Sequence, residues 1–355
     1  MTINIKNPAE KFEQWQVNTE QELFTTIKTL ECHTGGEPLR IITCGFPTLK
    51  GDSILAKRRD CQENYDDLRT ALMFEPRGHA DMYGAIITEA EKSDSHFGAI
   101  FIHNEGYSTM CGHAVIALTK CAVESGVVAQ TGDITSVVID VPCGQIHAQA
   151  FAKGKVITHV TFNCVPSFVP ALNQQVQVDG IGKVNFDIAF GGAFYAYVQA
   201  KPLGLNLEPS EHEKLIDYGR RIKKAVMEKT PVTHPLEEDL SFLYGVIFID
   251  DSPNEGVHSR NVCIFADGEL DRSPTGSGVS GRIALHVAKN EIALNQAIKI
   301  ESILGSQFNV NAIEKVNYAG VDAIIPQVTG DAFICGKAEW LINLNDPLKN
   351  GFLLR

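Results

Sequence analysis

Apolar residues fall along this chain in two rhythms, and short strand-like runs far outnumber helical ones. Strand-length runs lie at 24–32, 39–44, 83–88, 97–103, 136–141, 145–151, 156–165, 176–178, 183–188, 191–199, 243–250, 261–266 and near 332–343. Turn signals such as His33-Thr-Gly-Gly-Glu-Pro38 and Pro142-Cys-Gly144 separate many of them. Helical spacing predicts one charged helix over 52–73 and an amphipathic one over 209–230. Two more apolar helical runs, 114–122 and 282–289, each follow a flexible lead-in rich in small polar residues. Strands in excess, joined mostly at hairpin length, predict an α+β fold rather than a doubly wound parallel sheet.

The two small-residue lead-ins echo each other. Tyr107-Ser-Thr-Met-Cys-Gly-His-Ala114 opens one helix, and Ser273-Pro-Thr-Gly-Ser277 opens the other. Positions 111 and 275 are 164 residues apart, about half the chain. A duplicated domain, each half presenting one helix N-terminus to a cleft, accounts for the echo. Two such N-termini would together hold a carboxylate. Ser108 or Thr109 is placed to cap the first helix. Cys111 would then lie in its first turn, where the helix dipole favours a thiolate and lowers the thiol pKa. The same position also suits a buried structural cysteine.

Composition narrows the function. At 355 residues, two domains are expected. A formal net charge of −12 argues against nucleic acid or an anionic membrane as partner. The 9 cysteines are scattered and form no C-x-x-C pair, which predicts reduced thiols in a cytoplasmic compartment. The first 22 residues are polar and read as an exposed arm, and no apolar run is long enough to span a bilayer.

Three motif readings compete. Gly276-x-Gly278-x-x-Gly281 has dinucleotide-fingerprint spacing, but the preceding strand ends near Ala266, too far upstream. His79, Asp81, His103 and His113 lack recognised metal-ligand spacing. Cys111 and His113 could form a nucleophile pair, yet residues so close along a chain usually point apart. Asp271-Arg272 reads as a turn with a surface ion pair, and Glu75, Arg77 and His79 as a solvated loop.

Five motifs in order carry a resemblance. His33-Thr-Gly-Gly-Glu-Pro-Leu-Arg40, Glu75-Pro-Arg-Gly-His79, Met110-Cys-Gly-His113, Gly191-Gly-Ala-Phe-Tyr195 and Asp271-Arg-Ser-Pro-Thr-Gly-Ser277 resemble the proline racemase family over about residues 25 to 345. The resemblance implies two similar α+β domains of diaminopimelate-epimerase-like fold. Each would be a strand-rich half-barrel around a central helix, with the active site in the cleft between them. Residues 1–24 would be an arm. Residues 25–145 with about 332–355 would form the first domain, carrying Cys111, and residues 146–331 the second, carrying Thr275.

The family's racemases and epimerases place two cysteines on opposite faces of the substrate. Cys111 matches the first, and Thr275 stands where the second would be. An alcohol cannot exchange protons with a carbon acid near neutral pH as a thiol can. A threonine here is similar to the family's trans-3-hydroxy-L-proline dehydratases. The resemblance therefore implies a cofactor-free, metal-free lyase of amino-acid catabolism that forms Δ1-pyrroline-2-carboxylate and water, with Cys111 as its single base. It implies substrate binding by Gly112, His113, Asp271, Gly276 and Ser277, with Asp271 on the ring ammonium. The alternatives are a 4-hydroxyproline 2-epimerase or proline racemase, working through a water held by Thr275, and a non-catalytic imino-acid-binding protein. The partner would be a small imino acid, with a homodimer left open.

Overall fold

The computed structural model describes Ala9 and residues 23–354. Apart from Ala9 and its last two residues, the arm expected at 1–24 lies outside the described residues. The chain first makes β1 (Phe24–Thr34), β2 (Glu37–Cys44), α1 (Ile54–Asn64), α2 (Asp66–Met73), β3 (Tyr83–Thr88), β4 (Phe97–His103), β5 (Gly106–Ser108), α3 (Gly112–Glu124), β6 (Ile134–Val141), β7 (Gly144–Lys153) and β8 (Val156–Asn163). A similar succession follows in β9 (Ser167–Val178), β10 (Gly182–Phe190), β11 (Phe194–Gln199), α4 (His212–Lys229), β12 (Leu243–Asp250), β13 (Ser259–Phe265), β14 (Glu269–Leu270), α5 (Gly276–Ala288), β15 (Ile298–Glu301), β16 (Gln307–Tyr318) and β17 (Val321–Gly330). The last strand is β18 (Ala332–Asn343).

Strand pairing makes the duplication explicit. In the first half β2 runs parallel to β3, β3 antiparallel to β4 and β4 parallel to β6, and β6, β7 and β8 then pair antiparallel. In the second half β11, β12, β13, β15, β16 and β17 repeat that order of parallel and antiparallel pairs. β1 flanks β2 as β10 flanks β11. β18 pairs with β1, and β9 with β10. β17 touches both β8 and β9, so it forms the seam between the halves.

Each half wraps one helix. Residues 112–123 of α3 are all buried, as are all but His286 and the last residue of α5. A helix buried on nearly every side is mostly apolar or small, and the long cationic side chains here find partners: Lys120 reaches Asp331 at 2.9 Å, and Arg282 donates to the Asn261 side chain. By contrast, α4 lies on the surface and buries only Leu215, Gly219, Ile222 and Val226, one stripe at helical spacing. The expected boundary at 145/146 falls inside β7. Ile146, Ala148 and Ala150 of that strand are buried in the core around α3, and β8 packs on the same helix. Packing therefore divides the halves after Asn163, with β18 returning to the first.

Two local expectations are corrected. The helix expected over 52–73 is two helices, because Tyr65 leaves helical geometry at φ −138° and ψ 20°. Ser53 caps the first through its side chain, which accepts from the Ala56 N–H at 3.1 Å. The helix expected from residue 209 begins with a single tight turn, Pro209–Glu211, before α4 proper.

Candidate functional site

The starts of α3 and α5 meet in the cleft between the halves. Cys111 is itself the N-cap of α3, with extended backbone at φ −144°, and its Sγ accepts from the Ala114 N–H at 3.4 Å. Ser108 and Thr109, the expected caps, are used otherwise. Ser108 Oγ donates to the Met110 carbonyl, and Thr109 Oγ1 reaches across to the Gly192 carbonyl at 2.8 Å. At the start of α5, Thr275 sits at φ 68°, ψ 92°. Two side-chain turns hold it there. Asp271 Oδ1 accepts from the Ser273 N–H at 2.7 Å, and Ser273 Oγ accepts from the Thr275 N–H at 3.1 Å.

The helix ends touch through backbone alone. A Cβ on Gly276 would lie 2.5 Å from the Gly112 Cα, and a Cβ on Gly112 would collide with Gly276 in turn. Only glycine at both positions permits this approach. It brings two sets of unpaired first-turn N–H groups together, a ready site for an anion. Gly278 and Gly281 pack α5 closely on Ile247 and Tyr197. That accounts for the dinucleotide-like spacing without a phosphate.

Cys111, Gly112, His113, Asp271, Thr275, Gly276 and Ser277 all line one cavity of about 20 Å³, room for about one water. A larger hollow of about 450 Å³ lies along the later turns of α5, lined by Phe168, Val287 and Ile324, away from both helix starts. Contrary to expectation, Cys111 and His113 do face each other. Sγ lies 3.1 Å from His113 Nδ1, because a cap residue and the second residue of a helix flank the same opening turn. The imidazole is neutral: burial pushes it down to about 3, against the Pro38 carbonyl that pulls it up.

The expected depression of the thiol pKa is reversed in the closed cleft. Burial holds Cys111 well above the ordinary thiol range, with the Ala114 amide pulling down and the Asp271 charge pushing up. Burial likewise raises Asp271 to about 6, against the hydrogen bonds from Ser273 and Thr275. Thr275 Oγ1 is buried with no hydrogen-bond partner of normal geometry, although Asp271 and Cys263 are close enough to feel it.

The wall contains residues that motif reading passed over. Tyr83 from β3, Tyr244 from β12 and Cys263 and Phe265 from β13 all line the cavity. Tyr83 packs edge-on against the His113 ring at 4.8 Å. The only sequence signal for Tyr83 was its place at the end of the polar loop after Glu75. Tyr244 and Cys263 sit in apolar runs that read simply as core.

Polar contacts close the cleft around this wall. Arg272 is not a surface partner of Asp271. Its side chain reaches Asp81 Oδ2 at 3.2 Å, and its N–H donates to the buried Glu37 at 2.7 Å. His103 Nδ1 lies 3.1 Å from Glu269 Oε1, also across the cleft. The loop after Glu75 is likewise built in. Arg77 donates to the Ala71 carbonyl, and Asn104 donates to the Met73 and His79 carbonyls. Asp81, His103 and His113 thus have separate partners. Among the described residues no group of three or more His, Cys, Asp or Glu is placed to hold a metal ion.

With this geometry in hand, the likeness to known proteins has a structural meaning. The proline racemase family profile matches residues 29–353. A trans-3-hydroxy-L-proline dehydratase of Colwellia psychrerythraea is 72% identical over 355 residues, covering 100% of both chains. A 3-hydroxyproline 2-epimerase of Burkholderia multivorans is 44% identical, over 93% of this chain and 98% of its own. Among solved structures, a hydroxyproline epimerase from Agrobacterium vitis, with bound trans-4-OH-L-proline, superposes with a TM-score of 0.88 at 30% identity. It covers 93% of this chain and 96% of its own. The fold is thus the diaminopimelate-epimerase-like one, two strand-rich halves each around a central helix.

Proposed function

The chain belongs to the proline racemase family, and from that premise we propose that it is a trans-3-hydroxy-L-proline dehydratase. It is a lyase that forms Δ1-pyrroline-2-carboxylate and water. One observation carries the reading. The cleft sets a thiol, Cys111, at one helix start and an alcohol, Thr275, at the other. The relative that shares 72% identity over its whole length bears the dehydratase name.

The residues divide the work as follows. The substrate carboxylate lies between the helix starts, on the first-turn amides of Gly112, His113, Gly276 and Ser277. Asp271, ionised, takes the ring ammonium. Thr275 Oγ1, which has no protein partner at normal hydrogen-bond geometry, turns to the substrate or to a water. Cys111 removes the Cα proton. In trans-3-hydroxy-L-proline the 3-hydroxyl lies on the same face of the ring as that hydrogen. Loss of water is therefore a syn elimination served from one side, and the enamine then tautomerises to the product.

Cys111 must be a thiolate to act, and burial favours the protonated thiol. The substrate supplies the missing positive charge, which favours ionisation of a neighbouring thiol. Neutral His113, 3.1 Å from Sγ, is placed to hydrogen-bond the sulfur and orient it. A cavity of about 20 Å³ does not admit a five-membered ring with its substituents. The two halves, divided after Asn163, therefore open to load substrate and close on it. All nine cysteines are free, which supports a reducing, cytoplasmic location. No helix among the described residues is long and apolar enough to cross a membrane.

Incubation with trans-3-hydroxy-L-proline is the direct test. The expected result is a product that reacts with 2-aminobenzaldehyde. No such product, together with epimerisation of 3- or 4-hydroxyproline or racemisation of proline, would overturn the reading.

A further inference from the structure

Resting on the dehydratase reading, we propose that Tyr83 and Tyr244 form the subsite for the leaving 3-hydroxyl, and that Tyr83 carries to it the proton Cys111 takes from Cα. The 3-hydroxyl and the Cα hydrogen share a face, so the group that protonates the hydroxyl stands beside Cys111, not beside Thr275. Few proton donors line that part of the wall. His113 is turned to the thiol itself. Asp271 and the α5 amides are taken up by the ring ammonium and the carboxylate. Three phenols line the cavity, and Tyr195 is engaged with Ser277 Oγ at 2.8 Å, which leaves Tyr83 and Tyr244.

Their placement fits the task. Tyr83 comes from the first half, and its hydroxyl is close enough to Cys111 Sγ to favour the thiolate. Tyr244 comes from the second half, and its hydroxyl is close enough to Tyr83 and Ser108 to feel both. Yet Tyr244 Oη is buried with no hydrogen-bond partner of normal geometry, in a residue only 5% exposed. An unpaired buried hydroxyl is costly, and a substrate hydroxyl placed there would satisfy it. Both rings are fixed by their neighbours. His103 stacks on Tyr83 at 5.6 Å, and Phe265 packs against Tyr244 at 5.4 Å and Tyr83 at 6.1 Å. Burial keeps both phenols protonated.

The step balances within the residues present. The Cα–H bond breaks and the proton forms an S–H bond on Cys111, while the electron pair becomes the C2=C3 bond. The C3–O bond breaks with its electrons on oxygen, and the Tyr83 proton joins that oxygen to give water. The Tyr83 phenolate then regains a proton from the Cys111 thiol, the stronger acid of the two. Tyr244 donates a hydrogen bond to the departing oxygen throughout.

Two conservative variants, Tyr83→Phe and Tyr244→Phe, test the assignment in D2O with trans-3-hydroxy-L-proline. The expected result for Tyr83→Phe is dehydration slowed on the order of 100-fold, with Cα deuterium accumulating in recovered substrate. Proton removal then continues while C–O cleavage stalls. Tyr244→Phe is expected to show the same uncoupling with a smaller loss, and it carries the test alone if Tyr83→Phe does not fold. Dehydration within about threefold of wild type in the folded variants would overturn the proposal. So would loss of dehydration with no deuterium in the recovered substrate, because the base or the fold would then be what was lost. A wild-type enzyme that exchanges Cα deuterium but never dehydrates would instead defeat the dehydratase reading itself.

Discussion

The starts of α3 and α5 are built to one plan in two halves of the chain, and they part company at a single position. Both helices are buried along almost their whole length, both begin at a glycine, and those glycines touch. Cys111 occupies its place without strain, in extended backbone, with its sulfur accepting from the helix it caps. Thr275 occupies the matching place at φ 68°, where a β-branched residue is rarely found. Such a conformation costs about 1–3 kcal/mol and persists only where the surroundings impose it. Here the turns made by Asp271 and Ser273 do so. The scaffold is therefore symmetric and the chemistry is not. One start holds a thiol, which we propose takes the proton from carbon, and the other a buried hydroxyl lining the cavity, which we propose serves binding.

Substitution at the thiol breaks the comparison most severely. Cys111→Ser makes both starts alcohols and should lower turnover by at least about 10³-fold, read with 2-aminobenzaldehyde. Activity near wild type would remove Cys111 as the base. A substitution that spoils the contact without touching the chemistry comes next. Gly112→Ala puts a methyl group against Gly276 and forces the helix ends apart. A misplacement near 1 Å should cost on the order of 100-fold in kcat/KM, with the secondary structure measured by circular dichroism unchanged. Unaltered kinetics would mean the two starts need not meet during turnover. The mildest change makes the starts alike. Thr275→Cys should slow dehydration by roughly tenfold or less, about 1.4 kcal/mol, while polarimetry detects new Cα inversion of proline or hydroxyproline. No gain of inversion would show that a second thiol is not enough, and that more than position 275 separates the two chemistries.

Sequence and structure agree where function is written in short motifs. The seven residues singled out around positions 111 and 275 surround one cavity, because a helix start gathers consecutive residues and each motif contains one. Tyr83 and Tyr244 were not legible. They come from β3 and β12, strands whose apolar rhythm describes burial equally well on the core side and the cavity side. The thiol pKa was misread for a related reason. A helix N-terminus is a local property, whereas desolvation depends on the opposite half of the molecule closing over Cys111. The boundary expected at 145/146 falls inside β7, because hairpin turns look alike, whether they join strands within a half or between halves. Only the packing of β7 and β8 on α3 distinguishes them.

The pairing of β1 with β18 has a consequence in the order of synthesis. Phe24 through Thr34 lie along Asn343 through Ala332, so the first of the described strands is completed by the last of them. At about 5–20 residues per second, roughly 15 to 60 s separate them during translation. For that interval β1 has an unpaired edge, the kind of edge that invites aggregation. The first half, which holds Cys111, is therefore finished only after the second half has been made in full. Cys111 gains its complete surroundings only once β18 has been made, not when residue 111 emerges.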